Sequence, residues 1–263
     1  MNRFFSSTIF ALAALTSLTQ MSANAQTCSK VSPAHTIALL ELYTSEGCSS
    51  CPPADKFVSN LQRSTSLTTD QVVPISLHVD YWDYIGWKDV FAKPIFTQRQ
   101  RALTELAGSR TVYTPEVFLA GREFRSWYSG NGVTEAVRRV NALPAQASIQ
   151  ISLDKAINNK LSINLQGKTA QNARLHFALV EQNIVSQVNA GENRGVTLQH
   201  DYVVREWGDA ISLSPTAKGE SLVRQLPIPA NANRKNLSVT AFIQSERGEI
   251  LQALNLPVCA SVL

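Results

Sequence analysis

Apolar residues fall into two regimes along the chain. From Ile37 to about Leu143 short apolar runs alternate with stretches at helical spacing; beyond Pro144 the helical spacing disappears and short, often alternating runs are separated by polar turns. In the first regime the pattern predicts strands at Ile37–Tyr43 and Val72–Val79. It predicts helices at Pro52–Leu61 and Pro94–Ala107, the second carrying Ile95, Leu103, Leu106 and Ala107 near one face. A hairpin is predicted from Glu116–Ala120 and Glu123–Trp127 around Gly121, then an amphipathic helix over Val133–Leu143. The order βαβαββα implies a parallel or mixed sheet with crossover helices. In the second regime roughly eight short runs, from Ser148–Leu153 to Ile250–Leu256, imply an antiparallel sandwich. The expectation is an α/β domain over residues 26–144 followed by an all-β antiparallel sandwich domain over 145–263, with the boundary at Leu143-Pro144-Ala145-Gln146.

The N-terminus adds a compartment. Arg3 precedes an apolar run from Phe4 to Leu18, then small and polar residues lead to Ala23-Asn24-Ala25, which reads as a signal peptide over residues 1–25 with an A-x-A cleavage site. The run is interrupted by Ser6, Ser7, Thr8, Thr16 and Ser17 and is short for a span, so no stable membrane insertion is expected and a periplasmic or secreted location is. The formal charge of +4 is spread along the chain without a dense basic block, which argues against a nucleic-acid partner. Nothing in the pattern specifies an oligomeric state.

Four cysteines carry the candidate chemistry. Cys48-Ser49-Ser50-Cys51 sits where the first predicted strand gives way to Gly47 and then to a helix, the arrangement of a thioredoxin-like redox site, so the α/β domain is read as thioredoxin-like. Amides at a helix start stabilise a thiolate, which makes Cys48 the candidate exposed nucleophile and Cys51 the buried resolving thiol. A zinc site would need about four ligands, and no second close-spaced Cys/His pair exists; a redox-inert pair in a binding module is the other rival. If Cys48 pairs with Cys51, Cys28 and Cys259 remain, and an exported chain is expected to join them in a structural disulfide.

Around the thiols, Thr114-Pro115 is a candidate cis peptide set against the redox pair, where the backbone before the proline would meet an extended client; an ordinary trans proline at a strand start is the alternative. Glu41, seven residues before Cys48, is a candidate buried proton acceptor or else a solvent-facing strand carboxylate. His78 and Asp80, at the C-terminal end of the second strand, are candidates for tuning the thiolate or for structural hydrogen bonding. Trp82, Tyr84 and Trp87 form an aromatic loop that suits either a client groove or cover for the core. His200, Asp201 and Arg205 form a polar cluster in the second half, read as structural, and Gly191–Gly195 reads as a turn.

The stretch Glu41-Leu42-Tyr43-Thr44-Ser45-Glu46-Gly47-Cys48-Ser49-Ser50-Cys51-Pro52-Pro53-Ala54-Asp55 resembles the DUF1223 family of secreted thioredoxin-like proteins. His78-Val79-Asp80-Tyr81-Trp82-Asp83, Gly86-Trp87, Phe96–Gln100, Tyr113-Thr114-Pro115 and Gly191–His200 look like further motifs of that family. The resemblance implies a thioredoxin-like half and a sandwich of unassigned role. Because the motif is Cys-Ser-Ser-Cys, the direction of electron flow is not inherited, since the two intervening residues tune the potential. The function expected is an exported thiol–disulfide oxidoreductase-like protein acting through the Cys-Ser-Ser-Cys pair on protein thiol or disulfide clients, with no organic cofactor and no metal; the alternative is a non-catalytic binding or assembly module for another exported protein.

Overall fold

The computed structural model describes Met1 and residues 28–129, 132–216 and 218–263. The segment read as a signal peptide lies, apart from Met1, outside the described residues. Among the described residues no helix is long and apolar enough to cross a membrane.

The first stretch of chain supplies β1 (Ser29–Val31), β2 (Ala38–Thr44), α1 (Pro52–Ser64), β3 (Val72–His78), α2 (Pro94–Leu106), β4 (Glu116–Leu119), β5 (Arg122–Glu123) and α3 (Gly132–Asn141). Both α1 and α2 start on prolines, whose fixed φ and missing N–H suit a first helical turn. The rest is strand: β6 (Ala147–Ile157), β7 (Lys160–Thr169), β8 (Ala173–Glu181), β9 (Ile184–Gln187), β10 (Thr197–His200), β11 (Val203–Trp207), β12 (Ile211–Leu213), β13 (Glu220–Pro227), β14 (Leu237–Ser245) and β15 (Ile250–Pro257).

The expected thioredoxin-like α/β domain followed by a separate β-sandwich is corrected by the sheet topology. Strands from both halves form one mixed nine-stranded sheet in the order β15-β14-β8-β11-β3-β2-β4-β5, with β12 also paired to β8. The join is β11, which lies parallel to β3 with Val203 opposite Ser76 and antiparallel to β8. The Ser76 amide donates to the Tyr202 carbonyl at 2.7 Å and its hydroxyl to the Asp201 carbonyl at 3.0 Å. The physical reason is the free edge of β3. Every residue of β3 is buried, and buried backbone polar groups need partners, so a strand from the second half completes the ladder.

A four-stranded sheet, β1-β6-β7-β13, packs over the β8, β14 and β15 end of the large sheet. Strands between the two layers are apolar on both faces. Leu175, Phe177 and Leu179 of β8 and Val239, Ala241 and Ile243 of β14 enter one core, while Ala178, Val180 and Phe242 enter the core shared with β2, β3 and the helices. The predicted second hairpin strand is shorter than expected, because residues Arg125–Tyr128 turn into a 3₁₀ helix.

Candidate functional site

Buried strand β2 ends at Thr44, and Ser45-Glu46-Gly47 turns the chain into Cys48. The helix begins one residue after the motif: Cys51 is the cap, its carbonyl accepting from the Ala54 and Asp55 amides. Cys48 and Cys51 are joined in a disulfide, and Cys28 and Cys259 in a second one that closes a sequence separation of 231 residues. Both sulfur-bearing residues of the motif are buried, Cys48 at 1% and Cys51 at 0% exposure, so the exposed Cys48 expected from the sequence is not found in the oxidised pair.

Thr114-Pro115 is cis, and the Thr114 carbonyl oxygen lies 3.9 Å from Cys48 Sγ. Trp82, in the 3₁₀ helix Asp80–Ile85, donates from Nε1 to Thr114 Oγ1 at 2.7 Å and so ties the aromatic loop to the same spot. Ser50 and Pro115 share a cleft of about 640 Å³ with Tyr113, Arg125, Trp127 and Tyr128, the last of these 75% exposed.

A turn from the second half closes on the motif. The side-chain amide of Asn193 donates to the carbonyls of Glu46 at 2.8 Å and Cys48 at 3.0 Å, and Glu192 Oε2 accepts from the Ser49 amide at 2.9 Å. Gly191 has φ +71°, and a Cβ there would lie 3.2 Å from Trp87 Cβ, so glycine permits both the left-handed turn and its close seat on the aromatic loop.

Beneath the turn lies a buried ionisable cluster drawn from five places in the fold: Glu46, Asp55 on α1, His78 on β3, Asp89, and His200 on β10. His78 Nδ1 is 2.6 Å from Asp89 Oδ2. His200 Nε2 is 3.5 Å from Glu46 Oε1 and its Nδ1 is 3.9 Å from Asp55 Oδ2. Trp87 Nε1 donates to Glu46 Oε2 at 2.8 Å, and Asp89 accepts from the Glu46 and Phe91 amides. Among the described residues, no cluster of three or more His, Cys, Asp or Glu side chains has a geometry that could hold a metal ion.

Burial and pairing sort these groups. Burial pushes Asp89 up, but the His78 charge and hydrogen bond outweigh it and hold the carboxyl low; burial pulls His78 down, but Asp89 above all raises it. Glu46 resists the upward push of burial through hydrogen bonds from His200, Ser186 and Trp87 and ends low. Asp55 goes the other way: burial raises its pKa, and the His200 and His78 charges only partly offset that.

The predicted site residues divide between the two faces of the sheet. Cys48, Cys51, Thr114, Pro115 and Trp82 meet at the motif, with His78 in the cluster below. Glu41 lies on the other face, since it alternates with Thr44, whose hydroxyl neighbours Asp55. Its carboxylate accepts from Arg99 Nε at 2.6 Å and Nη2 at 2.9 Å, with Tyr43 Oη at 3.1 Å. Asp80 accepts from the Thr97 hydroxyl and packs against α2. The polar cluster read at 200–205 comes apart: His200 enters the buried group, Asp201 accepts from the Asn183 amide, and Arg205 pairs with Glu181. Sequence reasoning left Glu46, Asp55, Asp89, Glu192 and Asn193 without roles. Only Asp55 carried a local signal, four residues beyond Cys51 and therefore on the same face of the helix.

No curated protein matches the chain. Among solved structures, an Agrobacterium tumefaciens protein studied as a structural-genomics target is 25% identical, covering 87% of this chain and 97% of that one with a TM-score of 0.57. HBP35 of Porphyromonas gingivalis is 17% identical, covering 86% and 76% with a TM-score of 0.65, a likeness that concerns the fold alone. The model of a family described as a protein of unknown function, DUF1223, matches residues 39–244, most of the sequence, and this chain belongs to that family.

Proposed function

We propose that this chain is an exported thiol–disulfide exchange protein whose working bond is Cys48–Cys51. The observation that carries the reading is the position of that disulfide at the start of α1 with Cys48 Sγ 3.9 Å from the Thr114 carbonyl, ahead of the cis Pro115. The positive end of the α1 dipole favours a thiolate there, and a client chain has a cleft lined by Pro115, Trp127 and Tyr128 in which to lie. In the direction that reduces this protein, a client thiolate attacks Cys48 Sγ, the Cys48–Cys51 bond breaks, and Cys51 leaves as a thiolate. A second client thiolate then displaces Cys48, so the client gains a disulfide and the pair takes up two electrons. The reverse sequence reduces a client. The leader-like segment before Ala25 supports export, and with it a compartment in which disulfides persist.

One observation favours a second reading. Both motif cysteines are at most 1% exposed, as a structural bridge locking the turn of a binding module would be. The two readings part under a trapping experiment. A Cys51→Ser variant of the exchange protein accumulates mixed disulfides through Cys48 in the exporting cell, and a structural bridge accumulates none.

A further inference from the structure

The buried cluster beneath the motif has acid–base capacity that the exchange reading leaves unused. Among the described residues, Asp55 Oδ2, His78 Nε2 and His200 Nδ1 have no hydrogen-bond partner, although each atom is sealed from solvent. Three carboxyls and two imidazoles, all fully ionised, would leave an excess negative charge in a medium that supports little net charge. That excess is removed if one of the three carboxyls keeps its proton. Asp89 is ion-paired to His78 and Glu46 is held by His200, Ser186 and Trp87, whereas Asp55 is the one carboxyl of the three whose pKa is pushed up.

Asp55 also has the right address. Its amide bonds to the Cys51 carbonyl at 3.1 Å, so the two residues stack one helical turn apart on the buried face. Helical side chains lean toward the N-terminus, which aims the Asp55 carboxyl back along α1 toward Cys51. His200 reaches that carboxyl from β10, in the second half of the chain, and meets Phe91 at a ring-centroid distance of 6.1 Å, with the Arg205 guanidinium lying 5.2 Å from the Phe91 ring.

We propose that Asp55 is the group that exchanges a proton with the Cys51 sulfur, and that His200 is the positioning residue that holds Asp55 to that task. This rests on the thiol-exchange reading above. When Cys51 leaves as a thiolate, the Asp55 carboxylic acid gives it the proton; in reverse, once Cys48 is joined to a client, the carboxylate takes the proton from the Cys51 thiol, whose sulfur attacks Cys48 Sγ, re-forms Cys48–Cys51 and releases the client thiolate. The second half of the chain thereby enters the chemistry through its own histidine.

The test is the rate constant for reduction of Cys48–Cys51 by dithiothreitol in the folded full chain, from about pH 5 to about pH 9, divided by the thiolate fraction of the reductant. Wild type, Asp55→Asn and His200→Gln are compared, with circular dichroism confirming each fold. In the wild type the corrected rate constant falls through one titration step as Asp55 loses its proton. In Asp55→Asn the step is gone and the acid-side rate is lower by about 10²-fold or more, as expected when general acid–base catalysis is lost. In His200→Gln the step persists but moves to higher pH, because the imidazole interaction that lowers the Asp55 pKa has been removed. A step unchanged in Asp55→Asn overturns the proposal, and should that variant not fold, an unmoved step in His200→Gln overturns it. A wild-type pair that stays oxidised while the chain is folded removes the exchange reading itself, and this proposal with it, an outcome visible in the wild type alone.

Discussion

Asn193 bonds through its side-chain amide to the carbonyl oxygen of Cys48, 145 residues earlier in the chain, at 3.0 Å. With its second bond to Glu46 and the neighbouring contact from Glu192 to Ser49, it fastens the turn that presents the first cysteine. The part of the chain that contributes no cysteine to the motif thus holds the motif's backbone.

Asn193→Ala is expected to loosen that turn. Losing bonds to two buried carbonyls costs about 1–3 kcal/mol, and a loss near 1.4 kcal/mol in the closed state raises the population of opened turn about tenfold. Reduction of Cys48–Cys51 by a small dithiol then accelerates by a similar factor, measured by alkylation and mass analysis. An unchanged rate in a folded Asn193→Ala chain means the turn does not govern access.

Glu41 and Arg99 are expected to act on stability rather than on exchange. Arg99 pairs with Glu41 at two points, gives Nη1 to Gln244 at 3.1 Å, and lies over the Trp207 and Phe242 rings, so it clamps α2 to strands of both halves. Arg99→Ala leaves a buried carboxylate without its partner, which costs about 3–5 kcal/mol. Urea denaturation checks this; a loss below about 1 kcal/mol contradicts the clamp.

Glu116, next to the cis proline, is expected to make stability fall with pH. Burial pushes its pKa up from 4.5 to about 7, against hydrogen bonds from Gln100 and Thr104. The folded chain therefore holds a proton that the unfolded chain releases between about pH 4.5 and pH 7, so stability declines as pH rises through that window and levels above it. Glu116→Gln keeps an acceptor for Gln100 and cannot ionise. Melting temperatures of the two proteins across the window test the sign: the variant gains on the wild type as pH rises, and parallel curves contradict the shift.

The Cys28–Cys259 bridge is expected to be structural. It ties the residue just before β1 to the end of β15 within one apolar core. Replacing both cysteines with serine costs about 2–5 kcal/mol, read from thermal or chemical unfolding, without altering the reducibility of Cys48–Cys51.

Much of the local structure was legible because apolar runs here are bounded by Pro and Gly. Helix α1 starts at Pro52 and α2 at Pro94, and the buried runs at 38–44 and 72–78 are strands. The shared sheet was not legible, since the partner that completes β3 is Val203 on β11, more than a hundred residues away, and the edge of a strand carries no mark of its mate. The face of Glu41 was open because position along a strand leaves two orientations; its alternation with Thr44 decides it only once Thr44 is seen beside Asp55. The cluster escaped for the same reason as β11. Asp55, His78 and His200 converge through topology, and in sequence His200 reads with its neighbours Asp201 and Arg205, which the structure sends elsewhere.

The most direct test of the central claim is an equilibrium titration of the folded chain against defined dithiol and disulfide mixtures, with the state of each cysteine mapped by alkylation and mass analysis. The account predicts that Cys48 and Cys51 gain and lose two electrons together and reversibly while the chain stays folded, with Cys28–Cys259 oxidised throughout. A Cys48–Cys51 bond that opens only when the protein unfolds, or together with Cys28–Cys259, would contradict it.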